Sequence, residues 1–169
     1  HNLKLLVYTL IITGTVSAAY GIAQHFGWDP IGGNIQVRVQ ASFGNTLNFG
    51  GYMVMTIPAT LAIVHLKRFR NWFQLPIIIA LSLQLAGIWF SGGRGPFVAV
   101  AVSIITLLIF TAIIGSPRKV VKTLITLVLA STIAALIIIL PSPVPNSNIG
   151  WGRVASIANE FTSANDTTG

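Results

Sequence analysis

One stretch constrains this chain more than any other: the 42 residues from Phe73 to Ile114 carry a single charge, Arg94. A membrane-spanning helix needs about 20 apolar residues, so a stretch of this length predicts two spans. They are separated by Ser91 to Pro96, with the sequence Ser-Gly-Gly-Arg-Gly-Pro, which predicts a tight turn at a membrane surface. An arginine costs about 2.5–3.5 kcal/mol at the centre of a bilayer. Arg94 is therefore expected either to anchor the turn or to hold an anionic ligand.

The composition supports a membrane protein. Of 169 residues, 53% are hydrophobic and only 8% are charged, whereas soluble domains carry about 25% charged residues. The net charge of +7 would indicate a nucleic-acid partner if the protein were soluble. Here the basic residues lie between apolar runs, so they indicate loop orientation in a lipid bilayer and no nucleic-acid partner. The absence of cysteine excludes disulfides and thiol chemistry.

The apolar runs predict an all-α, polytopic transmembrane fold over residues 1–140. Each run is long enough, at about 1.5 Å per residue, to cross the hydrocarbon core. Pro58 lies inside the second run and is expected to kink it. The five predicted spans are about 3–23, 47–66, 73–90, 97–114 and 120–140. The four tryptophans lie at or just beyond predicted span ends, as in an aromatic belt: Trp28, Trp72, Trp89 and Trp151.

Residues 141–169 are expected to begin an outer loop, with a short amphipathic helix over 149–161 that lies on the membrane. The sequence starts at His1 in a helical pattern and ends at Gly169 in a polar segment. We interpret it as a fragment of a longer polytopic protein.

Basic residues set the predicted orientation. The positive-inside rule makes the connections richest in lysine and arginine cytoplasmic; their basic residues are Lys4, Lys67, Arg68, Arg70, Arg118, Lys119 and Lys122. Segment 26–46, the turn at 91–96 and residues 141–169 then lie on the outer side. The three basic residues expected there, Arg38, Arg94 and Arg153, are all arginines. Arginine presents a planar fork that matches phosphate and carboxylate.

Arg94 and Arg38 are the candidate ligands for an anion. Gly93 and Gly95 allow backbone N–H groups to converge beside Arg94. Pro96 suits the start of a helix, whose positive N-terminus would point at the same place. The alternative for Arg94 is an arginine that snorkels to the interface. The alternative for Arg38 is a solvated loop charge paired with Asp29.

Asn45 and Asn48 are candidate supporting residues at the start of the second span. The plainer interpretation, which we favour for Asn45, is helix capping. His25 and His65 have no partner at metal-ligand spacing, so no metal is predicted. The sequence also lacks a DxD pair, a glycosidase pair of carboxylates and a Walker-type loop, so no cofactor is expected.

The order of motifs resembles the O-antigen ligase and O-antigen polymerase family. Residues 20–30, from Tyr-Gly to Asp-Pro, resemble a Tyr-Gly…Gln…Phe…Asp-Pro stretch of that family. Arg38 and the Ser-Phe-Gly-Asn sequence at 42–45 resemble its outer-loop arginine and the Gly-Asn-Pro-Asn-like opening of the next span. Gly93-Arg94-Gly95 resembles its Ser-Arg-Gly/Ala turn. The resemblance covers nearly the whole chain; it departs at Thr46-Leu47, where the family often has Pro-Asn, and at Gly93, where serine is common.

The resemblance implies metal-independent transfer of a glycan from an undecaprenyl-diphosphate-linked donor at the outer face of the bacterial cytoplasmic membrane. The acceptor would be lipid A–core, another glycan or a protein hydroxyl. Arg38 and Arg94 would bind the diphosphate, and the general base would lie beyond Gly169. On the residues alone, two other classes stay open: a transporter or flippase subunit that binds an anionic substrate, and a structural membrane subunit anchored by both arginines.

Overall fold

The structure, a computed structural model, describes residues 2–30, 38–65 and 74–142. These residues form helices joined by short connections, and no strand occurs among them. The helices are α1 (Asn2–His25), α2 (Thr46–Ala62), α3 (Gln74–Ser91), α4 (Arg94–Ile114) and α5 (Pro117–Ile139). Two short 3₁₀ helices flank α2, at Ala41–Phe43 and Ile63–His65. The predicted all-α fold is confirmed.

Four of the helices are long and apolar enough to cross a membrane: α1, α3, α4 and α5. The chain is therefore a multi-pass membrane protein. The predicted second span, 47–66, is α-helical for only 17 residues and then tightens into the 3₁₀ turn Ile63–His65. Helix α2 runs through Pro58 without ending there. At about 1.5 Å per α-helical and about 2.0 Å per 3₁₀ residue, the two pieces together still reach roughly 30 Å.

Two helices begin earlier than hydropathy indicated. Helix α4 starts at Arg94 instead of residue 97, and α5 starts at Pro117 instead of residue 120. Hydropathy marks where the lipid-embedded part begins, whereas the first helical turn includes the charged residues at the membrane surface. The predicted turn over Ser91 to Pro96 is consequently only two residues long, Gly92 and Gly93.

Helix α3 lies at the centre of the bundle and packs against α1, α2 and α5, while α4 packs mainly against α2. The fully buried side chains of the core come chiefly from α2 and α3, including Phe49, Met53 and Leu81. The outer surfaces of α4 and α5 carry exposed apolar side chains such as Ile113, which is 76% exposed. Such a surface fits contact with lipid tails.

Small residues let α1 approach its neighbours closely. A Cβ atom added at Gly14 would lie 2.6 Å from Thr56 Cγ2, and one added at Gly21 would lie 2.8 Å from Val39 Cγ1. Gly87 of α3 faces α1, with Ala18 Cβ 3.2 Å from the position of an added Cβ. Close contact through small residues is a main source of helix association in membranes.

A buried polar chain ties together α1, α2 and α3. Gln84, which is 0% exposed, accepts a hydrogen bond from the Thr60 hydroxyl at 2.9 Å and donates to Thr15 Oγ1 at 3.2 Å. In lipid, a polar side chain needs such partners because no water replaces them. The three side chains therefore fix the relative positions of the helices that carry the site described below.

Some predictions fall on residues outside the described ranges. They concern Trp72, Trp151, Arg153 and the amphipathic helix over 149–161. Of the described tryptophans, Trp28 is 65% exposed just beyond α1. Trp89 packs edge-to-face on Phe97, with ring centroids 5.6 Å apart. Both positions agree with the predicted interfacial belt.

Candidate functional site

The candidate site is built on the connection between α3 and α4. Helix α3 ends as Gly92 adopts a left-handed conformation, φ 60°, and its N–H donates to Trp89 O at 3.1 Å. Gly93 is the N-cap of α4, and its carbonyl accepts the first bond of that helix from Phe97 N at 3.4 Å. Arg94 is therefore the first residue of α4, half-buried at the positive end of the helix dipole.

Arg38 reaches this connection from a distant part of the sequence. Its Nε–H donates to the Ser91 carbonyl at 3.4 Å and its Nη2–H to the Gly92 carbonyl at 3.2 Å. The neighbouring Val39 N–H donates to Phe90 O at 3.2 Å. The structure thus brings Arg38 to the two residues that lead into Gly93 and Arg94, and the cation compensates the carbonyls at the negative end of α3.

The segment after Arg38 bends sharply. Ala41 has φ 48°, a left-handed conformation that costs a non-glycine residue roughly 1–3 kcal/mol. Ala41 is buried, and its carbonyl lies 3.5 Å from the Gln24 amide nitrogen, which donates to it. The bend leads through the 3₁₀ turn into α2, whose N-terminus consequently lies at the same end of the bundle as that of α4.

Helices α2 and α4 meet near their N-termini. A Cβ atom on Gly50 would lie 2.6 Å from Pro96 Cγ, and one on Gly93 would lie 3.0 Å from the Pro96 ring and 3.7 Å from Leu47 Cδ2. Gly50 is therefore required by packing, and at Gly93 a side chain would press against the Pro96 ring. Gly95 differs, because an added Cβ there would meet nothing within 4 Å. The open space at Gly95 lies directly beside Arg94.

The two asparagines have different surroundings. Asn45 is the N-cap of α2, and its side-chain oxygen accepts a hydrogen bond from Leu47 N at 2.8 Å. The capping interpretation of Asn45 is confirmed. Asn48 is exposed in the first turn of α2, so it remains a candidate supporting residue at the mouth of the site.

Asp29 is held by the end of α1. Its carboxylate accepts a hydrogen bond from the Tyr20 hydroxyl and one from Gln24 Nε2 at 3.3 Å. The sequence indicates Tyr20 and Gln24 only through the stretch that resembles the family. It indicates Asp29 through the same stretch and as an expected ion-pair partner of Arg38. In the structure, Asp29 is bonded to α1, whereas Arg38 is bonded to the carbonyls of Ser91 and Gly92.

His25 has a packing role. Its ring stacks on Phe90 with a centroid distance of 3.7 Å and an interplanar angle of 14°. Its carbonyl accepts a hydrogen bond from the Ser142 hydroxyl at 2.6 Å. These two contacts join the C-terminal end of α1 to α3 and to the segment that follows α5. Among the described residues, no group of three His, Cys, Asp or Glu side chains is placed to hold a metal ion.

Together these residues form what we call the Arg94 end: Arg38, the Gly92-Gly93 connection, Arg94 and the N-termini of α2 and α4. Two guanidinium groups and two helix N-termini favour an anion. The planar guanidinium groups match the geometry of a phosphate group. No protein-family model, curated protein or solved structure matches the chain. The family resemblance therefore stays a prediction from the order of the motifs.

Proposed function

We propose that the full-length protein transfers a glycan from an undecaprenyl-diphosphate-linked donor to a lipid, glycan or protein acceptor, in the manner of O-antigen ligases and polymerases. The observation that carries the proposal is the contact of Arg38 with the Ser91 and Gly92 carbonyls, next to Arg94. A lipid diphosphate presents its charge at the membrane surface, and the Arg94 end offers cations at the ends of membrane-spanning helices.

Arg38 is suited to bind a ligand as well as the protein. A guanidinium group has five N–H donors, and two of those of Arg38 donate to carbonyls. These bonds fix the plane of the group, so less conformational entropy is lost when the remaining N–H groups bind a phosphate. Each charge-assisted hydrogen bond contributes about 1.5–3 kcal/mol.

In the proposed reaction an acceptor hydroxyl attacks the anomeric carbon of the donor sugar and gives its proton to a general base. The bond between that carbon and the diphosphate oxygen breaks, and undecaprenyl diphosphate leaves with the bonding electrons. Arg38 and Arg94 stabilise the negative charge that grows on the leaving group. Direct displacement inverts the anomeric configuration. Asp29, the single acid in the described ranges, is engaged by Tyr20 and Gln24, so we assign the general base to residues outside those ranges.

Transfer should proceed without a divalent metal, because the arginines supply the positive charge that stabilises the diphosphate. The test uses purified full-length protein, a lipid-diphosphate-linked glycan donor and an acceptor, with either EDTA or Mg²⁺. Mass spectrometry of the glycan product and of released undecaprenyl diphosphate should give the same rate in both. A strict metal requirement would contradict the mechanism. Movement of intact donor across vesicles without new glycosidic bonds would favour the transporter or flippase alternative.

The open space at Gly95 gives a second prediction. Gly95→Ala places a methyl group where no atom of the described residues lies within 4 Å, so folding should be little affected. If the diphosphate approaches the first turn of α4, the methyl group should lower transfer on the order of tenfold, about 1.4 kcal/mol. Gly51→Ala in α2 is the matched control, since an added Cβ there also meets nothing within 4 Å. Equal transfer by both variants would place the ligand away from Gly95.

A further inference from the structure

The opposite end of the bundle, where α5 begins, has a groove of its own. A cavity of about 440 Å³ lies between α3 and α5. Gln74, Arg118 and Lys122 line its polar end, and Val121, Ile125 and Leu129 continue it along α5. From Arg118 to Leu129 the rise is about 16 Å along the helix. The groove is thus charged at the membrane surface and apolar toward the membrane interior.

Among the described residues, the basic side chains of this groove have no acidic counterpart. Asp29, the only acid in those ranges, lies beyond α1 at the other end of the bundle. Lys122 Nζ donates to the Val64 carbonyl at 3.2 Å, which holds its ammonium group where α2 ends against α5. An ammonium group has three N–H donors, so further donors of Lys122 remain for a ligand beside those of Arg118.

The apolar half of the groove indicates which kind of anion its basic residues bind. Val121 and Ile125 are more than half exposed, at 53% and 54%, on a helix that is long and apolar enough to span the membrane. A soluble anion would leave this apolar surface uncovered, whereas a phospholipid covers it with an acyl chain. Basic pockets between transmembrane helices are known positions for anionic lipid headgroups.

We propose that this groove binds an anionic glycerophospholipid, with the headgroup phosphate between Arg118 and Lys122 and an acyl chain along Val121, Ile125 and Leu129. The site is independent of the proposed glycan transfer, because it lies at the other end of the bundle. It would fix α5 against α3 at the surface on which the positive-inside rule places the basic connections.

The test measures phosphatidylglycerol retained by the purified full-length protein, by native mass spectrometry from nanodiscs of phosphatidylcholine with phosphatidylglycerol. Arg118→Gln should weaken the preference for phosphatidylglycerol about fivefold. Lys119→Gln is the matched control, because it removes one charge from the next residue, which is exposed and does not line the groove. It should change the preference less than twofold. Ile125→Trp, which fills the groove without changing charge, should also reduce retention.

Three results would overturn the proposal. Equal losses in Arg118→Gln and Lys119→Gln would show general attraction to surface charge. Full competition by soluble glycerol phosphate would show an anion site that needs no acyl chain. Equal retention of phosphatidylcholine and phosphatidylglycerol by the unmodified protein would show that the groove takes any lipid.

Discussion

Replacing Arg94 with alanine should lower glycan transfer by at least a hundredfold while the protein still inserts into the membrane. The side chain lies in the first turn of α4, beside open space at Gly95. Two charge-assisted bonds from its fork, at about 1.5–3 kcal/mol each, correspond to a loss of roughly a hundredfold or more. Arg94→Lys keeps the charge without the fork, so it should recover only part of the activity.

Arg38→Ala should reduce transfer similarly but should also destabilise the fold, since two hydrogen bonds to the end of α3 are lost. Each such bond to a charged group contributes about 1.5–3 kcal/mol. Thermal unfolding in detergent separates the two effects in Arg38→Ala, because it measures the loss of stability apart from the loss of activity. Lys119→Ala removes a cation from the opposite end of the bundle and should transfer normally. Normal transfer by both arginine variants would contradict the assignment of the site.

Gly50→Ala should destabilise the protein at the Arg94 end. The added carbon would lie 2.6 Å from Pro96 Cγ and 2.8 Å from Pro96 Cβ, and a proline ring has little freedom to move away. Overpacking of this kind costs about 1–3 kcal/mol. Helices α2 and α4 would separate where Arg94 is placed, so transfer should fall as well.

The neighbouring Gly51 provides the control for this prediction. Gly51→Ala meets nothing within 4 Å and should stabilise α2 by about 0.5–1 kcal/mol, because alanine loses less backbone entropy than glycine. Thermal unfolding should therefore separate the two variants by about 2 kcal/mol or more. The double variant Gly50→Ala, Pro96→Ala should recover part of the stability if the clash is the cause, because it removes the contact with Pro96 Cγ and keeps the one with Cβ. Equal stability of Gly50→Ala and Gly51→Ala would mean that the contact with Pro96 is not made.

The sequence predicted the helices well because a bilayer imposes its thickness on every span. It placed the starts of α4 and α5 less well, since Arg94 and Pro117 belong to first helical turns that hydropathy excludes. The sequence contains one sign of the buried hydrogen bonds among Thr15, Thr60 and Gln84. A glutamine in an apolar span needs hydrogen-bond partners, but its position does not say which threonines on the other helices supply them.

By itself the sequence determined the class of the fold, the approximate spans and the two arginines worth testing. These depend on local composition: the length of apolar runs, and the high free energy of an arginine near lipid unless it is used. Only the tertiary structure decided that Arg38 donates to the carbonyls of Ser91 and Gly92, 53 and 54 residues away. It also decided that Gly50 abuts Pro96 while Gly95 faces open space. Such contacts depend on how helices pack side by side, and helix packing depends on pairs of residues that no local pattern links.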